Sequence, residues 1–201
     1  MKRLIFILIA IIALTASAAG NADALLGRAA DKLRASKSVT ARFTLAVGGE
    51  STTGNITLAG DRFVVKTPQL STWYDGKTQW SYSPQAGEVN ITEPTADELS
   101  QVNPFVIINA FRKGYKSTLG ASTAATKVIN LAALDKRADI RTVVLTLDAK
   151  TLYPTKIVMT LADGRKMTVT VSSVTPGKAL PASTFVFDKK KYPGAEIVDL
   201  R

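Results

Sequence analysis

The sequence predicts a mainly β (α+β) fold, built on an antiparallel sheet of about ten or eleven strands. After Ser38, short runs of alternating or β-branched residues are separated by turn signals, which is typical of an antiparallel meander. Asp75-Gly76 and Asp163-Gly164 are strong hairpin signals. Because a sheet of this size must curl or close, we expect it to have a concave apolar face.

The strands are predicted where these patterns lie between turns, and Gly48-Gly49-Glu50 predicts a hairpin turn rather than a phosphate-binding loop. The predicted strands are Val39–Val47, Gly54–Ala59, Arg62–Lys66, Leu70–Tyr74, Thr78–Ser83, Glu88–Thr92, Lys127–Leu131, Arg141–Asp148, Thr155–Leu161, Lys166–Val174 and Thr184–Asp188. Alternation assigns to the inner face Phe43, Leu45, Val47, Ile56, Leu58, Phe63, Val65, Val143, Leu145, Leu147, Ile157, Met159, Leu161, Met167, Val169 and Val171.

Three helices are predicted beside the sheet. Ala22–Ala35 has apolar residues at helical spacing, and Thr95–Ser100 forms a short polar helix. Asn103-Pro104 then begins a helix whose segment Phe105–Phe111 is apolar at six of seven positions. A helix with so little polar surface must be covered on more than one side, which predicts a plug or lid over the concave face.

The N-terminus predicts secretion. Lys2 and Arg3 precede the apolar run Leu4–Leu14 and a small-residue stretch, which is the layout of a cleaved signal peptide over residues 1–19. The remainder, residues 20–201, is expected to form one domain with a charge reduced from +10 to +8. No cysteine follows the cleavage site, so we expect an unacylated protein in a bacterial periplasm.

The composition excludes several kinds of chemistry. The chain has no histidine and no cysteine, which removes imidazole and thiol catalysis and the usual zinc ligands. The acidic residues fall at turns and helix starts with no spacing that selects a catalytic pair. The basic clusters Arg112–Lys116 and Lys189–Lys191 are not interleaved with several aromatics, as a nucleic-acid groove would be. We therefore expect no enzyme activity, cofactor, metal or nucleic-acid partner.

The segment Lys66–Pro84 carries a resemblance to a known family. It reads K-T-P, then W-Y-D-G-K-T-Q-W-S-Y-S-P, and it resembles the K-x-P and D-G-K-x-x-W-x-Y-x-P segment of the LolA family of periplasmic lipoprotein carriers. Glu88–Thr92, Asn103-Pro104-Phe105 and Ala41-Arg42-Phe43-Thr44 are similar to that family as well. Family carriers have an arginine before the proline, thought to hold the lid closed. This chain has Thr67 there, and Arg42 or Arg62 is a candidate substitute.

The resemblance implies an unclosed antiparallel β-barrel whose hydrophobic concave face is capped by helices. It implies a carrier that accepts lipidated proteins from an inner-membrane ABC-type extractor, shields their acyl chains, and delivers them to an outer-membrane acceptor. We expect a monomer with only transient membrane contact. The residues expected to contact acyl chains, in cavity and lid, are Phe43, Leu45, Leu58, Phe63, Val65, Trp80, Ile91, Phe105, Ile108, Phe111 and Met159.

Three other interpretations compete with the carrier. The main one is a periplasmic module of the same fold that senses lipid or lipoprotein and regulates a membrane partner. Another is a small outer-membrane barrel. That fold requires strands of about 9 to 11 residues and aromatic girdles, and most of the predicted strands are shorter. The third is that the apolar residues only fill a dry core.

Overall fold

A computed structural model describes residues 21–95, 98–99 and 114–201 of the chain. The predicted signal peptide and the apolar segment Phe105–Phe111 lie outside the described residues. Helix α1 covers residues 21–35, and residues 98–99 are helical. The strands are β1 Ser38–Val47, β2 Glu50–Ala59, β3 Arg62–Lys66, β4 Ser71–Tyr74, β5 Gln79–Ser83, β6 Glu88–Thr92, β7 Tyr115–Leu119, β8 Thr126–Ala133, β9 Ile140–Asp148, β10 Pro154–Leu161, β11 Lys166–Gly177 and β12 Glu196–Asp199.

The strands form one sheet in the order β12-β6-β5-β4-β3-β2-β1-β11-β10-β9-β8-β7. Neighbouring strands are antiparallel except β12, which runs parallel to β6. The edge strands β12 and β7 do not pair with each other, so the barrel is not closed. The predicted fold class, an unclosed β-barrel with a leading helix, is confirmed.

The structure differs from the predicted elements at three places. The predicted strand Thr184–Asp188 is wrong, because Ala182–Phe185 forms a 3-10 turn that buries Phe185. Strand β7 was not predicted, since its mostly polar residues show no apolar alternation. Strand β12 was missed because its pairing with β6 joins segments more than a hundred residues apart.

Helix α1 covers part of the concave face. Its apolar side, including Leu26 and Ala29, is fully buried in the core cluster formed by the inner faces of the strands. At the start of the described helix, the Ser117 hydroxyl donates a hydrogen bond to the Asp23 carboxylate, which ties α1 to β7. Leu99 also packs against this cluster. Within the described residues, no helix combines the length and hydropathy needed to cross a bilayer.

The C-terminal segment covers part of the convex face. After β11 the chain crosses the outer side of β2–β4, where Phe185 is fully buried with Ala59, Val64 and Trp73. The Arg62 guanidinium lies 5.0 Å from the centre of the Phe185 ring. The chain then reaches the sheet edge as β12. Each face of the sheet is thus covered by a different terminal segment.

Replacing Phe185 by alanine should detach this segment. Because the ring is fully buried, we expect Phe185→Ala to lower the free energy of unfolding by about 3–5 kcal/mol in urea titrations. Leu200→Ala, at a leucine that is 62% exposed, should change it by less than about 0.5 kcal/mol. A loss below about 1 kcal/mol for Phe185→Ala would contradict the anchoring role.

Candidate functional site: an apolar trough on the concave face

The register of the sheet decides which side chains face the concave side. Phe43 of β1 lies opposite Val171 of β11, and Leu45 lies opposite Val169. On the other side of β1, Ala41 pairs with Ile56 of β2, which pairs with Val65 of β3. Because directly opposed residues share a face, these pairings carry one apolar face from strand to strand.

An open trough of about 480 Å³ lies on this face. Pockets of about 300–1,000 Å³ are typical of ligand sites. The floor and walls of the trough come from β1–β3, β10 and β11, and the β3–β4 turn closes one side of it. The lining residues are Phe43, Leu45, Val47, Glu50, Ser51, Thr52, Val65, Thr67, Gln69, Leu70, Thr72, Met159, Met167 and Val169.

Six of the sequence-predicted site residues lie on this face. Phe43, Leu45, Val65 and Met159 line the trough. Leu58 and Phe63 belong to the core cluster on the same face, where Phe63 is fully buried with its ring 5.2 Å from that of Tyr74. The first four line the trough and can meet a ligand there, whereas the last two lie outside its lining.

Trp80 and Ile91 lie on the opposite, convex face, so their predicted placement in the concave cavity is wrong. Trp80 pairs with Trp73 on one side and with Ile91 on the other. Trp73 is buried under the C-terminal segment, and Trp80 packs against the same cluster. Alternation along a strand separates its two faces but does not tell which is concave.

The remaining predicted residues, Phe105, Ile108 and Phe111, lie outside the described residues. The trough also contains residues that the predicted site set omitted. Val47, Met167 and Val169 were assigned to the inner face by alternation, so the sequence carried a signal for them. Leu70 gave no such signal, because it lies in the turn before β4, where strand alternation does not apply. In the structure its side chain is 41% exposed.

Gly54 makes room for the trough floor. It lies opposite Phe43, and a Cβ atom there would come within 2.6 Å of the Phe43 ring and 2.7 Å of the Lys66 carbonyl oxygen. The glycine therefore leaves room for the Phe43 ring and for β3, and a larger residue would push one of them aside.

Thr67, where family carriers have an arginine, closes the β3–β4 turn. Its backbone N–H donates to the Leu70 carbonyl at 2.8 Å, and its hydroxyl oxygen accepts from the Leu70 N–H at 3.0 Å. The suggestion that Arg42 or Arg62 replaces the arginine is wrong. Arg62 stacks on Phe185, and Arg42 pairs with Asn55 on the convex face. Strand alternation keeps both side chains away from the trough.

The electrostatics of the trough suit an apolar ligand. Among its lining residues only Glu50 is ionisable, and the other polar groups are hydroxyls and one amide at the rim. No group of three or more metal-ligating side chains occurs in the described part of the chain. Hydrogen bonds from Thr95 lower the pKa of Glu98, and hydrogen bonds from Thr151 lower the pKa of Asp148. The Glu98 carboxylate bonds Thr95 at the start of a helical segment, and the Asp148 carboxylate bonds Thr151 in the turn after β9. Neither residue lines the trough.

The fold is similar to several solved structures. An uncharacterized conserved protein from Thermus thermophilus superposes with a TM-score of 0.63 at 12% identity, covering 89% of this chain and 99% of that one. A DUF1329 family protein from Desulfovibrio piger gives 0.52 at 9% identity, covering 84% and 97%. A domain described as an outer membrane lipoprotein-sorting protein from Vibrio parahaemolyticus gives 0.51 at 11% identity, covering 87% and 99%.

At these identities the structural likeness establishes the fold alone, and no curated protein matches the sequence significantly. The family model described as "Outer membrane lipoprotein carrier protein LolA" matches residues 12–163, more than half of the chain. That span includes the D-G-K-x-x-W-x-Y segment and most of the strands that build the trough. The chain therefore belongs to the LolA family of outer membrane lipoprotein carrier proteins.

Proposed function

We propose that this protein is a periplasmic carrier that shields the acyl chains of lipoproteins in its concave trough during transfer from the inner to the outer membrane. The observation that carries the proposal is the open apolar trough of about 480 Å³. Family membership supports the lipoprotein cargo, since the family is named for lipoprotein carriers.

The physical problem of such a carrier is the cost of exposing acyl chains to water, about 0.8 kcal/mol for each methylene group. The trough would reduce this cost by burying the acyl chain against aliphatic, aromatic and thioether side chains, including Phe43, Leu45 and Met159. Because both methionines of the trough, Met159 and Met167, are flexible, the lining can adapt to chains of different length.

The compartment and partners follow from the same proposal. The signal-peptide pattern at residues 1–19 would deliver the chain to the periplasm. An inner-membrane ABC-type extractor would load it, and an outer-membrane acceptor would unload it. In this proposal the chain acts by binding and release.

Phe105, Ile108 and Phe111 are proposed as the lid that covers the trough. Together with their neighbours they form a run with almost no polar position, which needs an apolar surface to cover it. The trough offers such a surface. In this scheme the lid moves aside to admit an acyl chain and then contacts the bound chain.

A charge at the rim of the trough should weaken acyl binding. We expect Leu70→Asp to lower the affinity for a fluorescent fatty-acid probe by at least about tenfold, since a leucine contact contributes about 1.5–3 kcal/mol. Leu134→Asp is the matched control, because Leu134 is 66% exposed and lies outside the trough. Probe titration of the two variants, with circular dichroism to verify folding, gives the comparison.

Equal probe affinities for the Leu70 and Leu134 variants would place acyl binding outside the trough. Absence of any probe binding by the folded wild-type protein would contradict the carrier proposal itself.

The lid proposal is tested within its own segment. We expect Phe105→Asp to lower probe affinity, because it removes an apolar contact that closes over the bound chain and adds a charge there. Asn109→Asp is the control, since Asn109 is the polar position of the same run. If both variants bind the probe like the wild type while remaining folded, this segment is not a lid.

A further inference from the structure

The convex face of the sheet carries a separate concentration of positive charge. The register directs several lysines and arginines of the strands outward, whereas Glu50 is the one ionisable residue among those that line the concave trough. The outward cations are Arg42, Arg62, Lys66, Lys116, Lys156 and Lys166. Six of the chain's 26 lysines and arginines therefore lie on the face opposite the trough.

A second cavity, of about 640 Å³, lies on this convex face. Its floor is formed by outward residues of β2–β4, including Asn55, Lys66 and Trp73. Its wall is the C-terminal segment, which contributes Phe187, Lys191 and Tyr192. We call this cavity the outer cleft. Polar and aromatic side chains line it together.

Arg42, Asn55 and Lys66 form one row across β1, β2 and β3. Asn55 and Lys66 line the outer cleft, and Arg42 lies beside it on β1, next to Asn55. Adjacent strands are about 4.8 Å apart, so the backbones of Arg42 and Lys66 are separated by about 10 Å, with the Asn55 amide between them. This spacing allows the two long side chains to converge on one small anion.

These cations are not neutralised by acidic neighbours. Among the ion pairs of the described residues, none involves Arg42 or Lys66. The Lys66 ammonium instead lies 5.8 Å from the centre of the Trp73 ring. Asp188, the carboxylate of the outer cleft, is 3.7 Å from the Lys191 ammonium and accepts a hydrogen bond from the Lys190 N–H.

The wall adds a surface for the organic part of a ligand. The Phe187 and Tyr192 rings are stacked with centroids 5.2 Å apart, and both meet the Trp73 ring edge-on. Both residues are only half-buried, so part of their surface remains open to the cleft. Ser183 and Thr184 bring hydroxyl groups to the same wall.

We propose that the outer cleft binds the phosphate group of a phosphate ester, with Arg42 and Lys66 as its cationic ligands. A phosphate offers three strong acceptor oxygens, and an arginine can bind two of them at once while a lysine acts as a point charge. Asn55 and the wall hydroxyls can donate to the remaining acceptors. Since the site lies on the opposite face from the trough, it is independent of acyl binding.

The chain's two tryptophans give a direct readout, because Trp73 lines the outer cleft whereas Trp80 does not. We would titrate 15N-labelled protein with sn-glycerol 3-phosphate and follow both indole N–H signals by NMR, holding the ionic strength constant with NaCl. We expect a saturable shift at Trp73 that is larger than at Trp80. Arg42→Gln and Lys66→Gln should each weaken binding about tenfold.

Lys156→Gln is the matched control, because Lys156 is an exposed cation of the same face on β10, outside the cleft. It should bind glycerol phosphate within twofold of the wild type. Thermal unfolding and acyl-probe affinity, unchanged in all three variants, would show that the fold and the trough are intact.

Two further ligands identify the source of the phosphate. Inorganic phosphate binding as tightly as glycerol phosphate would assign the site to free phosphate, and tighter binding of soluble dihexanoyl-phosphatidylglycerol would assign it to a lipid headgroup. The proposal is overturned if no phosphate ligand shifts Trp73 at millimolar concentration, or if the control variant loses binding as much as the cleft variants do. Neither result would affect acyl binding in the trough.

Discussion

The two-residue alternation of side chains, kept in register across the sheet, is the constraint on which the rest of the structure depends. A single apolar face runs from Phe63 on β3 through Ile56 and Ala41 to Val169 and Leu145 on β9. Slipping one strand by a residue would turn its apolar set to solvent. The curl of the sheet then makes this face concave, and the part of it that α1 does not cover forms the open trough.

The two faces are covered to different extents, and the difference leaves room for function. On the concave side α1 buries Leu26 and Ala29 against part of the core, while the trough near Val47 and Met167 stays open. On the convex side Phe185 fixes the C-terminal segment over Trp73 and leaves the outer cleft beside it. Apolar and cationic cavities thus occupy opposite sides of the same strands.

Much of this architecture could be predicted from local sequence. The Asp75-Gly76 and Asp163-Gly164 turns join β4 to β5 and β10 to β11 as expected, and β3 and β6 have the predicted bounds. These features depend on turn chemistry and alternation, which act over a few residues. The errors arise where tertiary contacts decide. Trp80 and Ile91 alternate like core residues, but they lie on the convex face. That face is apolar here because the C-terminal segment covers it. Leu70 reaches the trough only through the fold of its turn.

Native mass spectrometry of the protein purified from its host cells tests most directly whether the trough carries acyl chains. We expect a population of the protein with an added mass that corresponds to a lipid or an acylated protein. A detergent that competes for the trough should release this added mass. A protein that is invariably free of such added mass, and that also fails to take up lipoprotein offered in detergent-free solution, would contradict it.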